Sequence, residues 1–347
     1  MAVDEQSGKS ANARLDELTD LAAPLGIRTV VTLRIPDQIA AGVHHLDELA
    51  KSCDADPQAL GRLLRFLAHR GVFAEDAPNS FTLTDVGELL CDRTGGGRGA
   101  YLDLDSLGSR TDLAFLALPQ AIRTGEPCYA AVHGRDYWSD LDADPGMRDY
   151  FDELMRSQQL ITAPEVARLY PWQQVGSVTD VGGGSGGLLA ELLTAHPHLR
   201  GTLVDRPQPV ATAAERFAER GVADRAEVVA GDFFSALPTG SEVYVVSRAL
   251  TDWSDRHAAA ILRRCGEAAG AAGSGGRVLV VEVMPTEPWV PHLSPYDLTM
   301  LVSVGGRERG VHDFIALGVE AGLALTATYS GTGGLTLFEF RADPAAE

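Results

Sequence analysis

The sequence predicts an α/β protein: a doubly wound, Rossmann-like parallel sheet with an antiparallel edge, preceded by an N-terminal helical domain of winged-helix pattern. Three observations carry this prediction. From residue 176 onward, short apolar runs alternate with helical patterns, as in parallel sheets. A Gly-rich turn, "DVGGGSGG", joins the first of these runs to a helix. The C-terminal stretch "GLALTATYSGTGGLTLFEFRA" contains two alternating runs around another Gly-rich turn, which predicts the antiparallel edge.

Composition and charge limit the possible partners. The chain has 347 residues, enough for two domains, and a formal charge of −19. A surface with this much negative charge repels phosphate backbones and anionic lipids. We therefore expect neither nucleic acid nor membrane as a partner. The four cysteines are scattered without a CxxC pair, which predicts neither a metal site nor a disulfide framework and fits a cytoplasmic location. The polar N-terminus has no signal-peptide pattern.

The N-terminal region is expected to serve as a packing or dimerisation module rather than to bind DNA. We expect residues 1–13 to be disordered and residues 14–100 to form a winged-helix-like domain. One of its helices should begin at Pro57 and stop at Gly71, and Thr84 should cap the helix after a short strand. Residues 44–93 carry five basic and nine acidic side chains, and this net negative charge disfavours binding to the DNA phosphates. A packing or dimerisation module is therefore favoured.

The rest of the chain divides into two segments. Residues 101–170 read as helical and are rich in aromatic and long apolar side chains, which predicts core and the roof of a pocket. Residues 171–347 contain the alternating strands and helices of the sheet domain. Loops at the carboxyl ends of parallel strands carry the ligand sites of such folds.

The Gly-rich turn predicts a nucleotide-type cofactor. Glycine lets a ligand approach a helix N-terminus and its backbone N–H groups. Gly182 and Gly184 fit both the dinucleotide pattern GxGxxG, completed by Gly187, and the GxGxG pattern of S-adenosylmethionine (SAM) enzymes, completed by Gly186. Asp205, at the end of the next strand, suits a ribose diol in either case.

The next strand end favours SAM over a dinucleotide. In "GDFF", an aspartate can accept a hydrogen bond from the adenine amino group while a phenylalanine ring packs on the purine face. SAM carries no phosphate and needs no cationic clamp, and this turn offers none.

Four stretches together resemble a known family: "DVGGGSGGLLAELLTAHPHLRGTLVDRP", "GDFF", "SRALTDWSDRHAAAILRRC" and "DLTMLVSVGGRER". They are similar to the small-molecule O-methyltransferases of the plant caffeate and acetylserotonin type, and most similar to the actinobacterial branch that decorates aromatic polyketides and includes anthracycline enzymes. The resemblance covers nearly the whole chain. It implies SAM as cofactor, an aromatic small-molecule substrate, an N-terminal dimerisation domain and a homodimer.

The resemblance also implies site residues. Those implied to bind SAM are Arg148, Gly182, Gly184, Asp205, Gly231, Asp232, Phe233, Ser247, Arg248 and Trp253. Those implied to line the acceptor pocket are Met155, Tyr296 and Met300, and His292 lies near Tyr296.

One position departs from the family pattern. Where the family has His-Asp-Trp, this chain has Thr251, Asp252 and Trp253, so the usual general base is missing. Threonine has no accessible pKa for that role, and no residue of this loop is expected to act as the base. The carboxylates that orient the histidine in the family have counterparts in Asp252, Glu282 and Glu308.

Three hypotheses follow from the missing histidine. Methyl transfer to a hydroxyl or carboxyl oxygen can proceed without a dedicated base, since proximity and orientation supply much of the rate. Another histidine can replace the base, the candidates being His133, His257, His292 and His312, with His292 best placed. The protein can also bind SAM and run a hydroxylation, decarboxylation or pericyclic step, as some relatives do. We favour methyl transfer; a SAM-binding or DNA-binding regulator is disfavoured by the near-complete cofactor site and the acidic N-terminal domain.

Overall fold

The computed structural model describes residues 10–91, 98–271, 275–284 and 294–342. The chain forms two compact units, Met1–Leu113 and Ala114–Glu347. Part of the segment expected to be a helical linker, residues 101–113, thus belongs to the first unit. Most of the lead expected to be disordered lies outside the described residues, and the chain is helical from Ala11.

The first unit is helical with one two-stranded sheet. Its elements are α1 Ala11–Thr19, α2 Ala22–Thr32, α3 Ile35–Ala40, α4 Leu46–Ser52, α5 Pro57–His69, β1 Phe73–Ala77, β2 Ser80–Leu83, α6 Asp85–Glu88, α7 Arg98–Leu102 and α8 Leu107–Leu113.

Local sequence explains where the helices of this unit begin and end. Helix α5 begins at Pro57, where the Asp56 carboxylate accepts a hydrogen bond from the Ala59 N–H (2.8 Å). It ends before Gly71, whose φ of 79° is the left-handed conformation that glycine tolerates. The Thr84 hydroxyl caps α6. Strands β1 and β2 pair antiparallel, and β2 is the short strand expected before the helix that Thr84 caps.

The second unit opens with helices and continues into the sheet. The leading helices are a 3-10 turn Ala114–Ala117, α9 Leu118–Thr124, α10 Tyr129–His133, α11 Tyr137–Ala143 and α12 Pro145–Leu169. The strands are β3 Ser177–Val181, β4 Arg200–Asp205, β5 Ala226–Ala230, β6 Val243–Ser247, β7 Arg277–Val283, β8 Leu323–Ser330 and β9 Leu335–Ala342. The helices between them are α13 Gly187–Ala195, α14 Pro207–Val210, α15 Ala213–Glu219, α16 Asp255–Gly270, α17 Pro295–Val304 and α18 Val311–Glu320.

The sheet has the order β5-β4-β3-β6-β7-β9-β8. The first five strands are parallel, whereas β9 pairs antiparallel with both β7 and β8, so the predicted antiparallel edge is confirmed. Alternate strand residues contribute to two apolar clusters, as the period of two requires: Val243 and Val245 belong to one, and Tyr244 and Val246 to the other. No helix in the described ranges is long and apolar enough to cross a bilayer.

The sheet order positions the site. The chain turns back between β3 and β6, which are neighbours although β4 and β5 intervene in sequence. Crevices at such a switch point, outside the carboxyl ends of the strands, are where open α/β sheets bind ligands.

Candidate functional site

A cavity of about 430 Å³ lies at the carboxyl ends of β3 to β6. Strand-end loops form one side and helix α12 contributes to the other. All ten residues predicted to bind the cofactor line it, and so do Met155 and Asp252. The structure thus brings these side chains together, although their roles remain predictions.

The Gly-rich turn has the backbone that its sequence requires. Gly182, Gly184 and Gly186 have φ values of 72°, 61° and 77°, a region that side chains disfavour. Gly187 is instead the first residue of α13. A Cβ on Gly186 would lie 2.7 Å from the ring of Phe217. The left-handed positions therefore correspond to the GxGxG pattern rather than to GxGxxG.

Asp205 joins the end of β4 to this turn. One of its carboxylate oxygens accepts a hydrogen bond from the Gly184 N–H (2.8 Å) and the other from the Arg206 N–H (2.7 Å). Burial raises the pKa of Asp205, and these two hydrogen bonds oppose the rise. Each oxygen retains a further lone pair, so the same carboxylate can also accept hydroxyl groups of a ligand.

A second buried acid, Asp180 in β3, lies behind the turn and was not predicted. Neither of its carboxylate oxygens accepts a hydrogen bond from the described residues. Burial, and then the charge of Asp205, raise its pKa to about 7. A Cβ on Gly183 would come within 2.4 Å of this carboxylate, so that glycine makes room for it. The only sequence signal was the acid before the Gly-rich run.

An aromatic cluster forms another wall. The rings of Phe233, Phe234 and Trp253 meet edge to face, with centroids 4.8 to 5.8 Å apart. The Asp232 carboxylate accepts a hydrogen bond from the Phe234 N–H (2.9 Å), which holds the loop after β5. The arrangement places an apolar surface beside a carboxylate, as a purine ring requires.

Helix α12 supplies one face of the cavity. Its lining residues lie on one helical face, each three or four positions from another. Besides Arg148 and Met155, they are Phe151, Asp152, Arg156, Gln158 and Gln159. Phe151 belongs to the aromatic set that was expected to form core or the roof of a pocket. The other four were not predicted, although helical spacing counted from Arg148 would have found them. Trp138 comes from the same aromatic set, whereas Ser185, Arg206, Pro209, Phe234 and Ala249 were not predicted.

Arg148 is tied into a charged network. Its guanidinium pairs with Asp142 and lies 3.7 Å from Asp152, and Arg206 pairs with Asp142 at 2.9 Å. The Arg148 Nε is nevertheless buried without a hydrogen-bond partner among the described residues. Arg148 also lines the cavity, where a guanidinium can pair with a ligand carboxylate.

The loop after β6 is held firmly. Arg248 has a left-handed backbone (φ 53°), and its N–H donates to the Val281 carbonyl (2.9 Å). The buried guanidinium of Arg309 donates to the carbonyls of Leu250 (2.7 Å) and Trp253 (2.6 Å). Both ends of the short turn that contains Thr251 and Asp252 are therefore anchored.

The predicted catalytic acids differ in their surroundings. Burial raises the pKa of Asp252 to about 7, that of Glu282 to about 8 and that of Glu308 to about 7. Only Asp252 among the three lines the cavity in the part of the chain that the structure describes. Glu282 is buried in β7, and one of its carboxylate oxygens has no partner among the described residues.

The remaining predicted residues lie elsewhere. Thr251, Tyr296 and Met300 are not among the described residues that line the cavity, and His292 lies outside the described residues. Tyr296 is half exposed and Met300 is buried.

No histidine of the described ranges lines the cavity either. The Nδ1 of His257 lies 2.8 Å from the Ser254 hydroxyl oxygen, His133 packs on the Tyr129 ring, and His312 is exposed on α18.

Comparison with known proteins gives a consistent family relationship. A model described as an O-methyltransferase domain matches residues 115–324, and one described as an O-methyltransferase dimerisation domain matches residues 17–93. A 2,7-dihydroxy-5-methyl-1-naphthoate 7-O-methyltransferase of Streptomyces carzinostaticus is 43% identical over 92% of this chain and 95% of its own length.

Two further relatives extend this relationship. Aclacinomycin 10-hydroxylase of Streptomyces purpurascens is 40% identical over 97% of this chain and 90% of its own length. The crystal structure of an O-methyltransferase from neocarzinostatin biosynthesis, in complex with SAM and 2-hydroxy-5-methyl naphthoic acid, superposes with a TM-score of 0.81 at 42% identity, covering 94% of this chain and 98% of that one.

Proposed function

Because the chain belongs to the O-methyltransferase family, we propose that it methylates a hydroxyl or carboxyl oxygen of an aromatic natural-product intermediate. The cofactor of this family is SAM, and its bound sulfonium supplies an electrophilic methyl group. The observation that carries the proposal is the cavity, where the Gly-rich turn, Asp205 and the aromatic cluster adjoin the loop after β6.

The residues present fit SAM. The left-handed glycines leave the ligand side of the turn free of side chains, and the Asp205 oxygens retain lone pairs for the ribose hydroxyls. Asp232 and Phe233 line the same cavity, which supports their proposed role in binding the adenine. The Arg148 guanidinium, at the cavity wall, suits the methionine carboxylate.

Aromatic and thioether side chains are proposed to bind the molecule that accepts the methyl group. Trp138, Phe151 and Met155 line the cavity and offer flat or adaptable apolar contacts to a fused aromatic ring. The 43% identical relative acts on a dihydroxynaphthoate, which makes hydroxylated naphthoates and related polyketides the acceptors to test first. In this chain a threonine, Thr251, stands where the family has its histidine base.

A second candidate function has a specific motive. The 40% identical aclacinomycin 10-hydroxylase shows that a near relative carries out a different reaction, and the missing histidine weakens the case for methylation. The alternative is a SAM-bound tailoring enzyme that transfers no methyl group and runs a hydroxylation, decarboxylation or pericyclic step.

One measurement separates the two. The enzyme is incubated with SAM and a panel of hydroxynaphthoates and polyketide intermediates, and both product mass and S-adenosylhomocysteine are quantified. Methyl transfer predicts a methyl gain and one S-adenosylhomocysteine per product molecule. Product formed without S-adenosylhomocysteine would overturn the methyl-transfer proposal and support the alternative.

We also propose that the protein is a homodimer assembled through its first unit. Residues 17–93 match a dimerisation domain, and α1 buries none of its own side chains: Leu15 and Leu18 are 59% and 80% exposed in the single chain. Sedimentation at micromolar concentration should give a dimer mass, and a monomer would contradict the proposal.

A further inference from the structure

We propose that Asp252 is the general base of this enzyme, its carboxylate taking the proton from the acceptor's hydroxyl group. The inference rests on the proposed function, since it requires a hydroxylated acceptor in the cavity. It assigns the role of the missing histidine to the neighbouring residue of the same loop.

The hydrogen-bond partners of the cavity acids single out Asp252. Four carboxylates line the cavity in the described ranges: Asp152, Asp205, Asp232 and Asp252. Asp152 faces Arg148, and Asp205 and Asp232 accept backbone N–H groups. The Asp252 carboxylate accepts no hydrogen bond from any described residue and is partly exposed to the cavity. It is therefore the lining acid that is free to accept a proton or a hydrogen bond from a ligand.

The backbone around Asp252 is fixed on both sides. Arg309 holds the carbonyls of Leu250 and Trp253, and the Thr251 carbonyl accepts a hydrogen bond from the Arg307 N–H (3.0 Å). A Cβ on Gly306 would lie 2.1 Å from the Thr251 oxygen, so the two loops are in close contact there. A base held by a rigid backbone loses little of its orientation when the substrate binds.

The charged and titratable groups that face Asp252 come from four elements. They are Arg248 at the end of β6, Glu282 in β7, Tyr137 in α11 and Tyr296 in α17. Burial raises the pKa values of both tyrosines, that of Tyr296 to about 12, so both stay neutral near pH 7. Arg248 is the one cation of this set and lowers the pKa of Asp252 against the larger effect of burial.

These neighbours give Asp252 a pKa suited to a base at neutral pH. Burial dominates and raises it to about 7, so a large fraction is ionised near neutrality while its conjugate acid is weak enough to hold a proton. Glu282, whose pKa burial raises to about 8, is mostly protonated under the same conditions and does not line the cavity.

The proposed step is a simple proton transfer. The O–H bond of the phenol breaks, its proton bonds to a carboxylate oxygen of Asp252, and the electron pair stays on the phenol oxygen as phenolate. The carboxylate becomes a neutral carboxyl group. Once the oxygen is methylated the product has no site for that proton, and Asp252 releases it to water before the next turnover.

The first test measures the pH dependence of kcat/KM with a weakly acidic hydroxynaphthoate. The wild-type rate is expected to rise with pH through about 7, following the ionisation of Asp252. Asp252→Asn should lose this limb and about 10²–10⁴-fold of the rate, the usual contribution of a general base. Asp224→Asn, which removes a surface carboxylate that is 79% exposed, is the matched control and should retain the wild-type profile.

The second test needs no cofactor and no turnover. A hydroxynaphthoate whose phenolate absorbs at longer wavelength is bound to the protein alone and titrated with pH. In the wild type, the ionised Asp252 should raise the pKa of the bound phenol and produce a spectral step near pH 7. Asp252→Asn should lack that step and lower the phenol pKa, whereas Asp252→Glu should keep both features at a shifted pH.

The outcomes distinguish this inference from the proposed function. If the wild type forms no S-adenosylhomocysteine with any acceptor, the proposed function fails, while the titration still tests whether Asp252 contacts the phenol. If the wild type methylates and Asp252→Asn keeps the same pH limb and rate, the inference is overturned. Identical phenol titrations in wild type and Asp252→Asn would overturn it independently, and they remain informative if the variant is less active for other reasons.

Discussion

Replacement of Arg309 by methionine tests whether the loop around the predicted base is held by one buried guanidinium. The guanidinium donates to the carbonyls of Leu250 (2.7 Å) and Trp253 (2.6 Å), and to one oxygen of Asp255 through two nitrogens (2.9 and 3.0 Å). Its side chain is fully buried. Methionine keeps much of the length and the apolar contacts but can make none of these hydrogen bonds.

The expected loss of local stability depends on the polar groups that lose the Arg309 guanidinium as their partner. Breaking a buried ion pair costs about 3–5 kcal/mol, and a buried carbonyl without a donor costs about 1–3 kcal/mol. The Trp253 carbonyl loses the donor that Arg309 supplies, whereas the Leu250 carbonyl keeps the Trp253 N–H at 3.2 Å. The Asp255 carboxylate is 47% exposed and keeps Arg307 at 2.9 Å, which places its share at the low end. We therefore expect a local loss of about 3–5 kcal/mol, or about 10²–10⁴-fold in the equilibrium for opening the loop.

Hydrogen exchange measures this opening directly. The amides of Trp253 and Arg307, which donate to Leu250 and Thr251, should exchange about 10²–10⁴-fold faster in the variant. Arg264→Met is the matched control, because that arginine is 43% exposed and pairs with Glu267 on the surface of α16. Unchanged protection at Trp253 and Arg307 in the Arg309 variant would refute the reasoning.

Three further predictions concern the Gly-rich turn and its acids. Asp205→Ala should weaken SAM binding by about 1.5–3 kcal/mol in calorimetry, because ribose hydroxyls lose a charged acceptor; unchanged affinity would contradict the assignment. Asp180 has a folded pKa of about 7 against about 3.9 unfolded, so the folded state holds an extra proton and stability falls as pH rises from about 4 to 7. Asp180→Asn should lessen that fall in melting temperature, and an unaltered pH dependence would argue against a buried, unpaired acid. Gly186→Ala, strained by a φ of 77° and a Cβ 2.7 Å from the Phe217 ring, should lower the urea midpoint more than Gly221→Ala, where φ is 67° but the space is open. Equal midpoints would show that the ring moves aside without cost.

Much of the architecture could be predicted because it depends on local patterns. Alternation of strand and helix periods predicted the parallel sheet, and the paired runs near the C-terminus predicted its antiparallel edge. Pro57, Gly71 and Thr84 act within a few residues of their own positions, so the helix boundaries they predicted agree with the structure.

The candidate site could be predicted only in part, for a related reason. Residues at strand ends, such as Asp205 and Asp232, meet because parallel strands end at one edge of the sheet, and the order of motifs alone implies this. Arg148 marked the face of α12 that packs over the cavity, but how far along the helix that contact extends depends on the fold. The choice between Gly186 and Gly187 in the turn likewise required backbone angles.

The motifs of a SAM-dependent O-methyltransferase could be found in the sequence alone, because motifs are read residue by residue. Tertiary packing alone brings Asp252 to the cavity while Glu282 stays buried, and it places Arg309, more than fifty residues from Leu250 in sequence, where it anchors the turn that contains Asp252. The physical reason is that hydrogen-bond partners and pKa values depend on burial and on charges brought close by folding, and neither is encoded in spacing along the chain.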